Sequence, residues 1–235
     1  MSRLTRVAPI GIPQHVIQRG NNRQVCFGSD DDMAAYISWL KEYANLYQVK
    51  IHAWVLMTNH VHLLATPYSE GGVSKMLQSL GRRYVRYFNY TYQRSGTLWE
   101  GRYKASLVQT EHYLLEVYKY IELNPVRAKM VKYPADYIWS SYQCNAMGKR
   151  SELLAPHEIY LALGENDRIR MMNYRCLLNR QSDNQFLEDI RRCVQSGLAI
   201  GNSKFTEQIE ALTGLRVSAR KRGRPKSDKG NGGVI

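Results

Sequence analysis

Residues 50–66 read Lys-Ile-His-Ala-Trp-Val-Leu-Met-Thr-Asn-His-Val-His-Leu-Leu-Ala-Thr. Two β-rich runs, 50–57 and 60–66, flank the short polar break Thr58-Asn59, a spacing that suits a hairpin. Upstream, residues 14–19 predict a first strand that runs into the turn formers Gly20-Asn21-Asn22. Between these strands Met33, Tyr36, Ile37, Leu40, Tyr43, Ala44 and Tyr47 recur at the three-and-four spacing of an amphipathic helix, and Asp30 to Asp32 place negative charge at its start. Downstream, Val73, Met76, Leu77, Leu80, Tyr84 and Phe88 repeat that pattern over 72–93. Residues 105–109 then predict a fourth strand, and 111–123 a helix that must stop near Asn124, because Pro125 disfavours helical geometry in the residue before it. The order strand, helix, strand, strand, helix, strand is the ferredoxin-like, or RRM-like, split βαβ arrangement. It predicts an α+β fold with an antiparallel sheet, helices on one face and the other face left for a ligand.

Beyond about Tyr142 the pattern changes to short helical stretches, such as 158–163, 186–195 and 205–212, with no strand signal. From Arg216 the chain holds seven Lys or Arg, one Asp, four glycines and a proline, too little apolar surface to offset the entropy of ordering. The expected organisation is a domain over 1–145, a helical annex over 146–215 and a disordered basic tail over 216–235.

Across its 235 residues the chain carries 33 Lys and Arg against 20 Asp and Glu, a formal charge of +13, which points to a polyanionic partner, nucleic acid before an anionic membrane. It has no apolar run of the roughly 18 residues needed to span a bilayer, and residues 1–13 lack the apolar stretch of a secretory signal. A soluble cytoplasmic, nucleoid-associated protein is expected. Cys26, Cys144, Cys176 and Cys193 are scattered without zinc-knuckle spacing and read as reduced packing residues.

His60 and His62 are two apart in a predicted strand, so both imidazoles project from one face while Val61 points to the other. Two neutral imidazoles form a claw for a divalent ion and leave positions open for a carboxamide, water and a phosphate oxygen; ordinary polar histidines are the alternative. Tyr120 and Asn124 lie four apart on one face of the helix over 111–123, so a nucleophile and a third ligand can sit side by side. Tyr118 points about 200° around the helix from Tyr120, and Tyr113 is about 16 Å of helical rise from Asn124. Tyr120 is therefore the best placed of the three, with a packing tyrosine as its alternative reading.

The run Asn59-His60-Val61-His62-Leu63-Leu64, with Tyr120-Ile121-Glu122-Leu123-Asn124-Pro125-Val126-Arg127-Ala128 downstream, resembles the REP-associated tyrosine transposases of the HUH class, named for His-hydrophobic-His. The likeness includes residues 15–23 and Trp99-Glu100-Gly101-Arg102-Tyr103-Lys104, so it spans about 10–145. It implies metal ligands at His60, His62 and Asn124, a nucleophile at Tyr120, and Mg²⁺ or Mn²⁺ polarising the scissile phosphate. The expected products are a 5′-phosphotyrosine and a free 3′-hydroxyl. Related insertion-sequence transposases usually carry Gln at the third ligand position; Asn124 departs from that pattern while matching the REP-associated branch. The resemblance implies a REP-like palindromic DNA hairpin beside a short single-stranded sequence as substrate, and a monomer, although related insertion-sequence enzymes form dimers with shared sites.

Around this centre, Arg82, Arg83, Arg86, Arg94, Arg102 and Lys104 interleave with Tyr84, Tyr87, Phe88, Tyr90, Tyr92, Trp99 and Tyr103. Such a mixture lets cations follow phosphates while rings stack on unpaired bases, although much of the aromatic set is needed for core. Arg19, Asn22, Arg23 and Arg127 fall on loops near the expected site as DNA contacts, with solvated surface charge as the equal alternative. Arg220, Arg222 and Arg224, within Arg-Gly-Arg-Pro, resemble an AT-hook or serve as a non-specific electrostatic tail. Two competing functions remain: a non-catalytic nucleic-acid-binding module on the same sheet, which would stack bases on strand aromatics that 60–66 lacks, and a metallonuclease that uses water.

Overall fold

The computed structural model describes residues 6–181 and 183–219. Strand β1 (Gln14–Arg19) leads into helix α1 (Asp30–Leu46), strands β2 (Val49–Met57) and β3 (His60–Pro67), helix α2 (Gly72–Thr91) and strand β4 (Lys104–Leu107). The strands form one antiparallel sheet in the order β2-β3-β1-β4, as the split βαβ reading requires. Helix α1 starts where Ser29 and Asp32 close a reciprocal cap, each side chain accepting from the other's backbone N–H. The Asp32 carboxylate also accepts from the Tyr92 hydroxyl at 2.7 Å, tying the start of α1 to the end of α2.

Alternation along β1 and β3 divides the interior in two. Val16, Val61, Leu63 and Ala65 close against α1 and α2, in a cluster that also holds Tyr36, Leu40, Met76, Leu80 and Tyr84. The opposite face differs from expectation, because it too carries helices. Helix α3 (Thr110–Glu122) packs there against Ala53, Val55 and Leu64, followed by the one-turn helix α4 (Asn124–Arg127). The predicted stop holds at Glu122, yet Pro125 sits in the first turn of α4, where its missing N–H costs nothing. Short helices α5 (Tyr142–Asn145) and α6 (Glu158–Leu161) follow, then α7 (Asp167–Asn179), α8 (Asn184–Ser196) and α9 (Ser203–Thr213). Tyr160, Tyr174, Leu178 and Ile190 from these elements complete the second cluster. The sequence offers the residues after about 142 no other place to bury an apolar stripe, and the half-bare sheet face supplies one.

The chain after α4 also blunts both sheet edges. Beside β2, Leu56 N–H donates to the Trp139 carbonyl at 3.0 Å, and Ser141 N–H donates to the Trp54 carbonyl at 2.9 Å. Beside β4, Ile200 N–H donates to the Leu107 carbonyl at 2.7 Å, and Gln109 N–H donates to the Ile200 carbonyl at 2.8 Å. Val217, assigned from sequence to the tail, is 1% exposed and accepts from Ala199 N–H at 2.9 Å, so residues 216–219 are docked on the annex. The remainder of the tail, with Arg220, Arg222 and Arg224, lies outside the described residues. No helix among the described residues is long and apolar enough to cross a membrane.

Candidate active site

His62 pairs with Ile17, and His60 with Arg19, across the β1–β3 ladder; all four side chains share the α3 face of the sheet. The two histidine rings lie 5.0 Å apart between centroids at 76°. Tyr120, on the third turn of α3 and 6% exposed, meets the His62 ring edge-on at 5.8 Å and the His15 ring at 5.5 Å. Of the expected site residues, Tyr120 is thus brought to His62, and His62 to His60, while no ring contact joins Tyr120 to His60 among the described residues.

His15 is the residue that sequence reasoning left out. Its Nε2 lies 2.9 Å from His62 Nδ1, and the two rings stack at 5.2 Å. Strand pairing places it diagonally across from His62, so the signal was its same-face position in β1, legible only once the register is known. Asn59 plays the matching part for His60, taking the ring's Nδ1 at 2.6 Å on its Oδ1 while its Nδ2 donates to the Arg23 carbonyl at 3.1 Å. That second bond holds the 20–23 loop against the site. Gly20 is obligatory at its start, since a Cβ there would come within 2.3 Å of the Gln24 carbonyl oxygen.

These contacts test whether the residues suit a divalent ion. Burial lowers His15 from its ordinary 6.5 to about 3. Burial, reinforced by the Arg19 charge, lowers His60 to about 4. His62 is pushed well below 6.5 by burial first and then by His15, His60, Arg127 and Arg19. All three imidazoles are thus neutral at pH 7, the form that ligates. With Nδ1 of His60 committed to Asn59, and Nδ1 of His62 to His15, the Nε2 atoms of both remain for an ion. For His62 this requires that Nδ1–H donates to His15 Nε2. His15 can accept in that way because its own Nδ1, buried without a hydrogen bond, carries the proton without breaking another contact. The donor set fits. No group of three His, Cys, Asp or Glu able to hold a metal stands together among the described residues, so the coordination must be completed from elsewhere. Asn124 opens α4 half-buried, with no hydrogen bond or ring contact to either histidine among the described residues.

Arg127, expected among the DNA contacts, lies against the phenol. Its guanidinium carbon stands 4.6 Å over the Tyr120 ring, and its Nη2 donates to the Tyr120 carbonyl. Burial lowers it to about 10, so it keeps its charge at pH 7 and places a cation beside any phenolate that forms. Behind the same helix Glu122, fully buried, accepts from the Ser141 hydroxyl at 2.5 Å, the Asn145 amide at 2.7 Å and the Tyr174 hydroxyl at 2.8 Å. These bonds fasten the Tyr120 helix to α5 and α7, and burial pushes the carboxyl up to about 7.

The remaining expected contacts divide. Arg19 is at the site, Asn22 and Arg23 stand exposed on the adjoining loop, and Arg102 and Lys104 stand exposed at the β4 end of the sheet. Arg82, Arg83 and Arg86 are not brought to the histidines. They occupy the solvent side of α2, the helix that covers the opposite face, and Arg83 pairs with Glu42 at 2.7 Å. The apolar stripe of α2 turns its basic side outward. For the same reason Tyr84, Phe88, Trp99 and Tyr103 are buried in or beside that core and unable to stack on bases, whereas Tyr90 is 80% exposed.

Residues 11–124 match the family described as "Transposase IS200 like". Among solved structures, a REP-associated tyrosine transposase bound to a REP hairpin aligns with a TM-score of 0.51 and 19% identity, covering 67% of this chain and 93% of that one. A putative transposase from Deinococcus radiodurans aligns with a TM-score of 0.37 and 22% identity, over 52% of this chain and 96% of that one. No curated protein matches in sequence. The first alignment supports the fold, and the segment that carries the histidine pair and the Tyr120 helix is the part of the chain similar to the IS200-like transposases.

Proposed function

We propose that this chain is a metal-dependent single-stranded DNA endonuclease and strand-transferase that works beside palindromic hairpins through a 5′-phosphotyrosine at Tyr120. The observation that carries the reading is the approach of Tyr120 to His62, ring to ring at 5.8 Å, with the Nδ1 atoms of His60 and His62 already engaged. A Mg²⁺ or Mn²⁺ ion held by His60 and His62, with Asn124 as the third protein ligand, would supply Lewis acidity at the scissile phosphate. The Tyr120 oxygen attacks phosphorus, the bond to the 3′-oxygen breaks, and that oxygen leaves as a 3′-hydroxyl after taking a proton. Arg127 offsets the negative charge of the phenolate, and Arg19 offsets that of the phosphate. Because the phosphotyrosine preserves a phosphodiester-like bond, a second 3′-hydroxyl reverses the step and joins a new strand without a nucleotide cofactor.

The REP hairpin in the solved relative supports a hairpin substrate here, and such a substrate would bring the enzyme to the nucleoid. A monomer suffices as the functional unit, since one chain brings its own Tyr120 to its own histidines. Base stacking by a non-catalytic module is not favoured, because α3 and the annex cover the sheet face that would present it. The reading is tested by incubating the protein with labelled hairpin DNA carrying a single-stranded flank and Mn²⁺. A denaturation-resistant protein–DNA adduct is expected, and Tyr120→Phe should abolish it. Cleavage by Tyr120→Phe at the wild-type rate would assign the attack to water.

A further inference from the structure

A cleft of ≈ 790 Å³ opens at the β4 edge of the sheet, and its two sides have different origins. Arg19, Arg102 and Lys104 line it from the sheet, while Gln195, Gly197 and Arg216 line it from the annex. The annex side lies wholly beyond residues 11–124, the segment matched to the transposase family. The cleft lies beside the reaction centre: Ile17 and Arg19, which line it, are the ladder partners of His62 and His60, while the histidines and Tyr120 themselves are not part of its lining. The annex wall is fixed in place by the hydrogen bonds of Ile200 with Leu107 and Gln109, and of Ala199 with Val217.

The lining has a definite chemistry. Arg19, Arg102, Lys104 and Arg216 form no ion pair with a carboxylate among the described residues, and Glu100 is the sole acid of the lining. Lys104 reaches across to the Gln195 side chain in the last turn of α8, where a cation also offsets the negative end of the helix. Among the described residues Lys104 and Arg216 hydrogen-bond only to neutral oxygens, and like charges gathered without a paired carboxylate repel one another, so the arrangement favours a bound polyanion. Ile17, Leu107 and Val194 are apolar members of the same lining. A duplex offers such a recess only phosphates, whereas an unpaired strand offers it both phosphates and exposed bases.

We infer that this cleft is a binding track for the single-stranded DNA that flanks the hairpin, with the annex supplying one of its walls. The inference rests on the strand-transfer reading of the histidine–tyrosine centre. It makes the annex part of the substrate site rather than only a cover for the sheet.

The test uses the full chain and fluorescence anisotropy with two probes, a blunt DNA hairpin and the same hairpin with a twelve-nucleotide unpaired extension. The double variant Gln195→Glu/Arg216→Glu places carboxylates on the annex wall, outside the reaction centre. It should bind the extended hairpin at least tenfold more weakly, with a salt slope shallower by about one to two, in keeping with lost phosphate contacts. Affinity for the blunt hairpin should stay within twofold of wild type. Arg102→Glu, at an exposed position where folding is not at stake, should show the same preference for damaging the extended probe. Unchanged affinity for the extended hairpin, or an equal loss on both probes, would overturn the inference. Adduct formation at Tyr120 by the wild-type protein, measured in parallel, separates the two levels. Adduct with normal binding by the variants removes the track alone, while no adduct removes the strand-transfer reading and the track with it.

Discussion

The two faces of the sheet are made by alternate residues of the same strands, yet burial does different work on each. Val16, Val61, Leu63 and Ala65, each 1% exposed or less, close against α1 and α2 and hold the fold together. One residue out of phase, His15 and His62 are 0% and 3% exposed, and there burial keeps imidazoles neutral and fixed in direction. Because the side-chain period of a strand is two, a slip of one residue would exchange the two sets and lose both properties. The comparison teaches that stability and reactivity are kept apart by strand parity rather than by distance along the chain.

Breaking the first face should produce the largest effect on stability. Leu63→Ala leaves a cavity between β3 and α2 and should cost about 2–5 kcal/mol in urea unfolding, while the folded fraction keeps Mn²⁺ affinity within twofold of wild type. A large loss of Mn²⁺ affinity in folded Leu63→Ala protein would show that the faces are not separable. On the second face, His15→Phe retains the ring but removes the acceptor for His62 Nδ1–H. Its Mn²⁺ affinity should fall about 10- to 100-fold, read by titration calorimetry, with His15→Gln restoring part of it through its amide oxygen. Equal affinities in all three proteins would leave His15 as packing alone.

A smaller effect distinguishes groups within the second face. Glu122 binds its proton more tightly in the fold, at about 7 against an ordinary 4.5. Its stabilising contribution is therefore complete below pH 4.5 and declines as pH rises through 7. The histidines have the opposite sign: with values depressed to about 3 for His15 and about 4 for His60, their contribution is present above pH 6.5 and lost as pH falls through those values. The difference between wild type and Glu122→Gln isolates the carboxyl. Unfolding free energies should diverge in favour of the variant between pH 4.5 and about 7, by at most ~1.4 kcal/mol per pH unit, the limit for one proton. A constant offset across that range would contradict the buried-proton assignment.

Strong local patterns made much of this legible in advance. The alternation at His60, Val61 and His62 and the helical spacing from Met33 to Tyr47 are properties of single elements, readable before any packing is known, whereas the step from Tyr120 to Asn124 crosses from α3 into α4. Contacts between elements were hidden. His15 meets His62 across 47 residues, and Glu122 meets Tyr174 across 52, so nothing local marks either pair. Helix α7 escaped notice because its interior carries only Tyr174 and Leu178 as buried residues among charged and polar neighbours. The basic, aromatic stretch on α2 misled for a related reason. Sequence shows which residue types share a helix, but only packing shows that Tyr84 and Phe88 fill a core while their arginine neighbours face solvent on the far side from the histidines.

The central claim is that a single chain joins its own phenol to its own imidazoles, and complementation in trans tests it most directly. Tyr120→Phe and His62→Ala are each mixed alone, and then together, with hairpin DNA and Mn²⁺, and adduct is measured on denaturing gels. The account predicts adduct with the wild-type protein and none in either variant or in their mixture, because neither chain holds a complete site. Adduct appearing only in the mixture, on the chain that retains Tyr120, would show that the reacting groups come from different molecules and would contradict the account.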